Sequence, residues 1–239
     1  MRYRDLIPGR QGGRFIASHI QIPQGGLVSD WVHFHRIHFQ MIYCYRGWVR
    51  VVYEGQGEPF IMEAGDCVLQ PPRIRHRVLE SSPGLEVIEV SCPAEHETWT
   101  DHELALPTPA MEKTREFDGQ RFVRHVASGA PWFPWRMGGF LARDTGIAEA
   151  TGGLASVRVV HPDGGPSPSA RHEADFLFLF VLRGAVKLSC EGHGSEPLSA
   201  GDSVVVPSGM LHGLEACSAD LELLEVALPA GFRTLRAPE

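Results

Sequence analysis

The chain has 239 residues, 43% of them hydrophobic and 21% charged, with a net charge of -7, a make-up that suits one large or two small globular domains. The negative balance gives no electrostatic footprint for nucleic acid, and no apolar run approaches the roughly 20 residues that cross a bilayer. Five scattered cysteines, Cys44, Cys67, Cys92, Cys190 and Cys217, are odd in number and never spaced CxxC, which argues against a disulfide framework or a zinc knuckle. Residues 1–15, MRYRDLIPGRQGGRF, lack the apolar core of a secretory signal, so a reducing cytoplasm is the expected compartment.

In chain order, the first predicted strand region is WVHFHRIHFQMIYCYRG, residues 31–47, which carries His33, His35, His38 and Gln40. VRVVYEG from Val49 and EVIEVSC from Glu86 follow, and then ASVRVVH from Ala155, FLFLFVLRG from Phe176, AVKLSC from Ala185 and DSVVVPSG from Asp202. All are short, rich in β-branched and aromatic residues, and separated by Gly, Pro, Asp and Ser. Helical periodicity is weak throughout. With 26 glycines the chain reads as all-β, a sandwich or barrel.

An internal repeat sets the organisation. GDCVLQPPRIRHRVLESSPGLEVIEVSCPA from Gly65 aligns without a gap on GDSVVVPSGMLHGLEACSADLELLEVALPA from Gly201, an offset of 136. Arg46-Gly47 matches Arg183-Gly184 at an offset of 137, which puts His35 on His172. Two copies of one β-domain follow: residues 1–94, a polar Pro-containing connection over 95–119 that forms a short helix or packs on the first copy, and residues 120–239. The recurrence of Glu86/Glu222 and Glu89/Glu225 in both copies reads as structural.

The spacing suits a metal. Residues i and i+2 of a strand share a face, so His33 and His35 point the same way. Gln40 lies five after His35 and breaks the alternation, so a bulge is expected there. His76 arrives from another strand after the PPRIRH turn. Three imidazoles and an amide oxygen suit one divalent ion, Fe, Zn, Ni or Mn; the alternative is a hydrogen-bonded polar seam. His38 points outward or lines the cavity entrance. Alternation turns Ile42 and Cys44 inward. Arg73 and Arg75, beside His76, either meet a substrate carboxylate or belong to a solvated turn.

The grammar of each copy resembles the cupin superfamily. Its first motif is matched by His33-Phe-His35, Gln40 and Gly47, and its second by Gly65, Pro71 and His76, with Gln40 where the family usually has Glu. The resemblance implies two tandem jelly-roll (double-stranded β-helix) barrels and a metal site at His33, His35, Gln40 and His76. In the second copy the matching positions are Ala170, His172, Leu177 and His212, so His172 and His212 read as a vestigial site; Glu173 and Asp175 are carboxylates nearby but off the family position. With only neutral ligands the ion keeps its +2 charge, which favours an anionic or phenolic small-molecule substrate. Cupins with neutral ligand sets include dioxygen-using enzymes and sugar-acid-converting ones. The leading expectation is a dioxygenase; the alternatives are a non-redox isomerase or lyase of a sugar-acid-like substrate, and a binding or sensing module. A homodimer through exposed edge strands is also expected, with neither nucleic acid nor membrane as partner.

Overall fold

The computed structural model describes residues 1–237 and falls into two compact units, Met1–Gly129 and Ala130–Glu239. Both are built almost wholly of antiparallel strands. In the first unit these are β1 (Arg2–Asp5), β2 (Ile16–Ile22), β3 (Gly26–Leu27), β4 (His33–Arg36), β5 (Phe39–Arg46), β6 (Trp48–Tyr53), β7 (Phe60–Glu63), β8 (Cys67–Leu69), β9 (His76–Ser81), β10 (Leu85–Cys92), β11 (Glu97–Thr100), β12 (Glu116–Phe117), β13 (Gln120–Arg121) and β14 (Val123–His125). One sheet runs β1-β2-β10-β5-β8-β14; the facing sheet runs β11-β4-β9-β6-β7, with β3 also on β9. Their inner faces close on a core of Val49, Val51, Met62, Val68, Ile74 and Leu85.

The second unit repeats the plan. It holds β15 (Phe133–Pro134), β16 (Phe140–Asp144), the four-residue helix α1 (Ile147–Ala150), β17 (Ser156–Pro162), β18 (Ala170–His172), β19 (Phe176–Arg183), β20 (Ala185–Cys190), β21 (Gly194–Ser199), β22 (Ser203–Val205), β23 (His212–Glu215), β24 (Glu222–Leu228) and β25 (Thr234–Arg236). Its sheets run β15-β16-β17-β24-β19-β22 and β21-β20-β23-β18-β25. The order β2-β10-β5-β8 is thus matched by β17-β24-β19-β22, and β4-β9-β6-β7 by β18-β23-β20-β21. These are the two jelly-roll barrels the repeat implies. α1 is the only helix among the described residues, and no helix is long and apolar enough to cross a membrane.

The repeated sequence grammar has local physical causes. Gly47 and Gly184 join consecutive strands at φ 73° and 74°, a left-handed conformation that favours glycine. A side chain at either would strike the hydroxyl of Ser82 or Ser218, which accepts the next strand's first amide, from Trp48 at 3.0 Å or Ala185 at 2.9 Å. Asp66 and Asp202 close the following hairpin by accepting the amides of Glu63 and Ser199. Arg46 and Arg183 each reach the first repeated glutamate, Glu86 at 3.2 Å and Glu222 at 3.1 Å.

One sequence expectation changes and one alternative is decided. Between His35 and Gln40 the chain does not bulge within one strand. It leaves β4 at Arg36 and enters β5, on the opposite sheet, at Phe39. Of the two alternatives for 95–119, a short helix or packing on the first copy, the segment takes the second. Glu97–Thr100 adds strand β11 to the edge of β4, with Thr98 opposite His35, and the compact division falls at Gly129.

Candidate metal centre

His33 and His35 alternate along β4 and so share its inner face, while His76 opens β9 directly opposite His33 in the register. The ring centroids lie 4.3 Å apart for His33–His76 and 5.3 Å for each of the other two pairs. One ring nitrogen from each histidine lies within 4.8 Å of the others.

The second nitrogens are already engaged. His33 Nδ1 is 2.9 Å from the Trp31 carbonyl, His35 Nδ1 is 2.9 Å from Thr98 Oγ1, and His76 Nδ1 is 3.1 Å from the Ile74 carbonyl. Each ring is therefore fixed in orientation with Nε2 left over. Burial, aided by the neighbouring imidazoles, lowers the His35 pKa to about 3 and that of His76 well below its ordinary value. Near neutral pH both rings carry a free lone pair.

Gln40 approaches from β5 on the other sheet and is buried. Its Nε2 donates to Glu89 Oε1 at 3.1 Å, which also accepts from the Ser91 hydroxyl at 3.1 Å. A carboxylate only accepts, so the amide nitrogen must face Glu89 and the amide oxygen must face away. That oxygen is buried without a hydrogen-bond partner. Three spare imidazole nitrogens and one orphaned amide oxygen line a single cavity of about 350 Å³, a donor set that fits one divalent transition ion.

Of the other expected pocket residues, Ile42 lines this cavity. Cys44 does not; it is buried in the apolar core, where burial pushes its thiol up to about 12. His38 is exposed, with its carbonyl accepting from Gln120 Nε2 at 2.7 Å. Arg75 is turned away, with its Nε on Asp101 at 3.2 Å and its guanidinium over Phe34. Arg73 is 3.9 Å from Asp118 in an exposed pair. Neither arginine lines the cavity, which favours the solvated turn of the two readings the sequence left open. Glu89, Tyr53 and Gln70 do line it. Tyr53 stacks on His76 at 5.5 Å and accepts from Gln70 Nε2 at 2.8 Å. The repeat had singled out Glu89, but recurrence in both halves had marked it as structural.

The Cupin domain family matches the chain twice, over residues 18–90 and 156–227. The chain belongs to the cupin family. No curated protein matches it in sequence. Among solved structures, a salicylate 1,2-dioxygenase from Pseudaminobacter salicylatoxidans is 16% identical with a TM-score of 0.72, covering 98% of this chain and 80% of that one. An oxalate decarboxylase from Lactobacillus farciminis, in a formate complex, is 16% identical with a TM-score of 0.69, covering 98% and 82%. A mutant oxalate decarboxylase from Bacillus subtilis is 15% identical with a TM-score of 0.66, covering 98% and 74%. These likenesses show the shared two-barrel fold.

The second cupin domain has different contents. Ala170 stands opposite His212, where the first domain has His33 opposite His76. Leu177, at the Gln40 position, is fully buried among apolar neighbours. His172 and His212 are buried 5.6 Å apart, and burial lowers both pKa values, that of His212 to about 4. Glu173, the nearby carboxylate, is exposed and paired with Arg233 at 2.6 Å. The buried charge is instead Glu225, gripped by Arg136 Nε at 3.0 Å, Arg136 Nη2 at 2.8 Å and Trp135 Nε1 at 3.1 Å. Neither Trp135 nor Arg136 lies within the aligned repeat, so no motif pointed to them.

Proposed function

We propose that the chain is a metal-dependent cupin enzyme whose first domain holds one divalent ion through His33, His35, His76 and Gln40, and that it acts as a dioxygenase on a small anionic or phenolic, oxygen-rich metabolite. The observation that carries the metal reading is the orphaned oxygen of Gln40, buried beside three imidazoles whose other nitrogens are taken. An unpaired buried acceptor costs stability, and a cation offsets that cost.

A divalent ion held by these residues would supply Lewis acidity toward a chelating anion. The chain's own residues prepare the place. The Nδ1 partners hold the three rings, and Glu89 holds the Gln40 amide. All four ligands are neutral, so none of them cancels the charge of the ion, and the carboxylates that line the cavity, Asp30 and Glu89, stand beside it. Ile42, Val51 and Val78 give the cavity dry walls that strengthen the attraction of the ion for an anion. The fold likeness to a salicylate 1,2-dioxygenase supports the oxidative reading.

The test is metal content by mass spectrometry together with dioxygen uptake over a panel of hydroxybenzoates, β-diketones and unsaturated uronates. Iron near one per chain, dioxygen consumption with a panel member and loss of both in His33→Ala are expected. Metal with uronate conversion and no dioxygen uptake supports the isomerase or lyase reading. Protein that takes up no metal supports a binding module.

A further inference from the structure

The charge of the first cavity narrows its ligand. Beyond the histidines, the charged side chains that line it are Asp30 and Glu89, both carboxylates; no lysine or arginine among the described residues does. Asp30 is committed to the fold: its oxygens accept the amides of Trp31 at 2.9 Å and Val78 at 3.0 Å, and it lies 3.4 Å from His33 Nδ1. Glu89 is engaged with Gln40 and Ser91. Ile22, Ile42, Val49, Val51, Val78 and Val87 make up much of the remaining wall.

We infer that the first cupin domain selects a singly charged chelator with an apolar body and discriminates against ligands that carry a second carboxylate or a polyhydroxylated chain. The inference rests on the metal-dependent reading above. A +2 ion among neutral ligands faces two carboxylates, Asp30 and Glu89, so little net positive charge is left over for a second anionic group on the ligand. A chelating head with one negative charge is held by direct contact with the ion. A second carboxylate would meet aliphatic walls and a like charge with no cation to pair it, and it would lose its hydration without replacement. Hydroxyl groups along the body of a sugar acid would meet a wall that is mostly aliphatic, where Tyr3, Ser29, Tyr53 and Gln70 are the other polar side chains and Tyr53 and Gln70 already bond each other.

The experiment loads the full chain with Co(II), whose visible bands respond to ligand entry, and titrates three probes. These are 4-methyl-2-oxopentanoate, 2-oxoglutarate, which has the same 2-oxo acid head but a carboxylate tail, and galacturonate. The first is expected to bind at least about tenfold more tightly than either of the others. Ile20→Arg places a cation on the cavity wall, and Ser29→Arg places one at its exposed rim in case the wall variant does not fold. Either is expected to shrink the preference over 2-oxoglutarate. Equal or tighter binding of 2-oxoglutarate or galacturonate overturns the inference, as does cobalt that binds but whose bands respond to none of the three. Failure of cobalt to bind at all, or binding that His33→Ala and His76→Ala leave intact, instead removes the metal-dependent reading beneath it.

Discussion

Glu89 and Glu225 occupy matching places: Glu89 is opposite Ile42 on β5, and Glu225 is opposite Leu179 on β19. In the first domain the glutamate accepts from an amide, which turns the oxygen of Gln40 away and leaves it orphaned. In the second, where Leu177 replaces that amide, the glutamate is wholly buried and holds a guanidinium. The buried positive charge of the second barrel is thus part of the chain, whereas the first barrel presents ligands for a charge from outside. The difference teaches that a shared residue in two repeats need not share a task, because the task is set by what the opposite strand and the neighbouring hairpin put against it.

The comparison breaks most readily at Arg136. Arg136→Ala leaves the buried Glu225 with only Trp135 Nε1 and the more distant Arg158, 3.8 Å away, and is expected to cost about 3 kcal/mol, at the low end for a broken buried pair, read by urea unfolding. Metal uptake by the first domain should be unchanged. Arg136→Met combined with Glu225→Leu should recover most of the loss, since it removes both charges.

His35→Ala removes an imidazole from the first domain and should weaken metal binding by well over tenfold, while His212→Ala should leave metal stoichiometry unchanged. A variant in the second domain that lowers stoichiometry as much would erase the contrast between the barrels. Glu89→Ala is expected to weaken metal binding by roughly tenfold, at the low end for groups that orient a ligand, because the Gln40 amide is then free to rotate. Gln40→Glu combined with Glu89→Gln, which keeps a donor between the two side chains, should tighten metal binding, whereas Gln40→Glu alone sets two carboxylates against each other and should gain less. Competition titrations with a chromophoric chelator give the metal constants.

The smallest effect is on acid sensitivity, and its sign follows from linkage. The pKa of His35 is lowered to about 3 and that of His212 to about 4, from an ordinary value near 6.5. Between those limits the unfolded chain binds more protons than the folded one. Stability is therefore complete above about pH 6.5 and is lost as the pH falls toward 3 to 4. Melting temperature measured from pH 7 to pH 4 should fall in metal-free protein. His212→Gln should lessen the fall whether or not metal is present, whereas saturating metal should raise the melting temperature at pH 7 without removing the His35 share, because a bound ion keeps that ring unprotonated in the folded state.

The sequence by itself determined the two barrels and the histidine trio. Local rules carry both: alternation along a strand puts His33 and His35 on one face, Gly47 and Gly184 mark the left-handed joints, and the 136-residue offset survives because both copies need the same hairpins. The motif resemblance grouped Gln40 with the histidines, and a change of sheet, not the bulge that spacing asks for, brings it there. Only the tertiary structure decided which way its amide faces, because Glu89 lies 49 residues away in the chain. It likewise decided that Thr98, in a segment read as a connection, orients His35, and that Arg75 is turned onto Asp101. Arg136 reaches Glu225 across 89 residues from outside the repeated motif. Such contacts have no local period to read, since they depend on which strands the fold sets side by side and which buried charge then needs a partner.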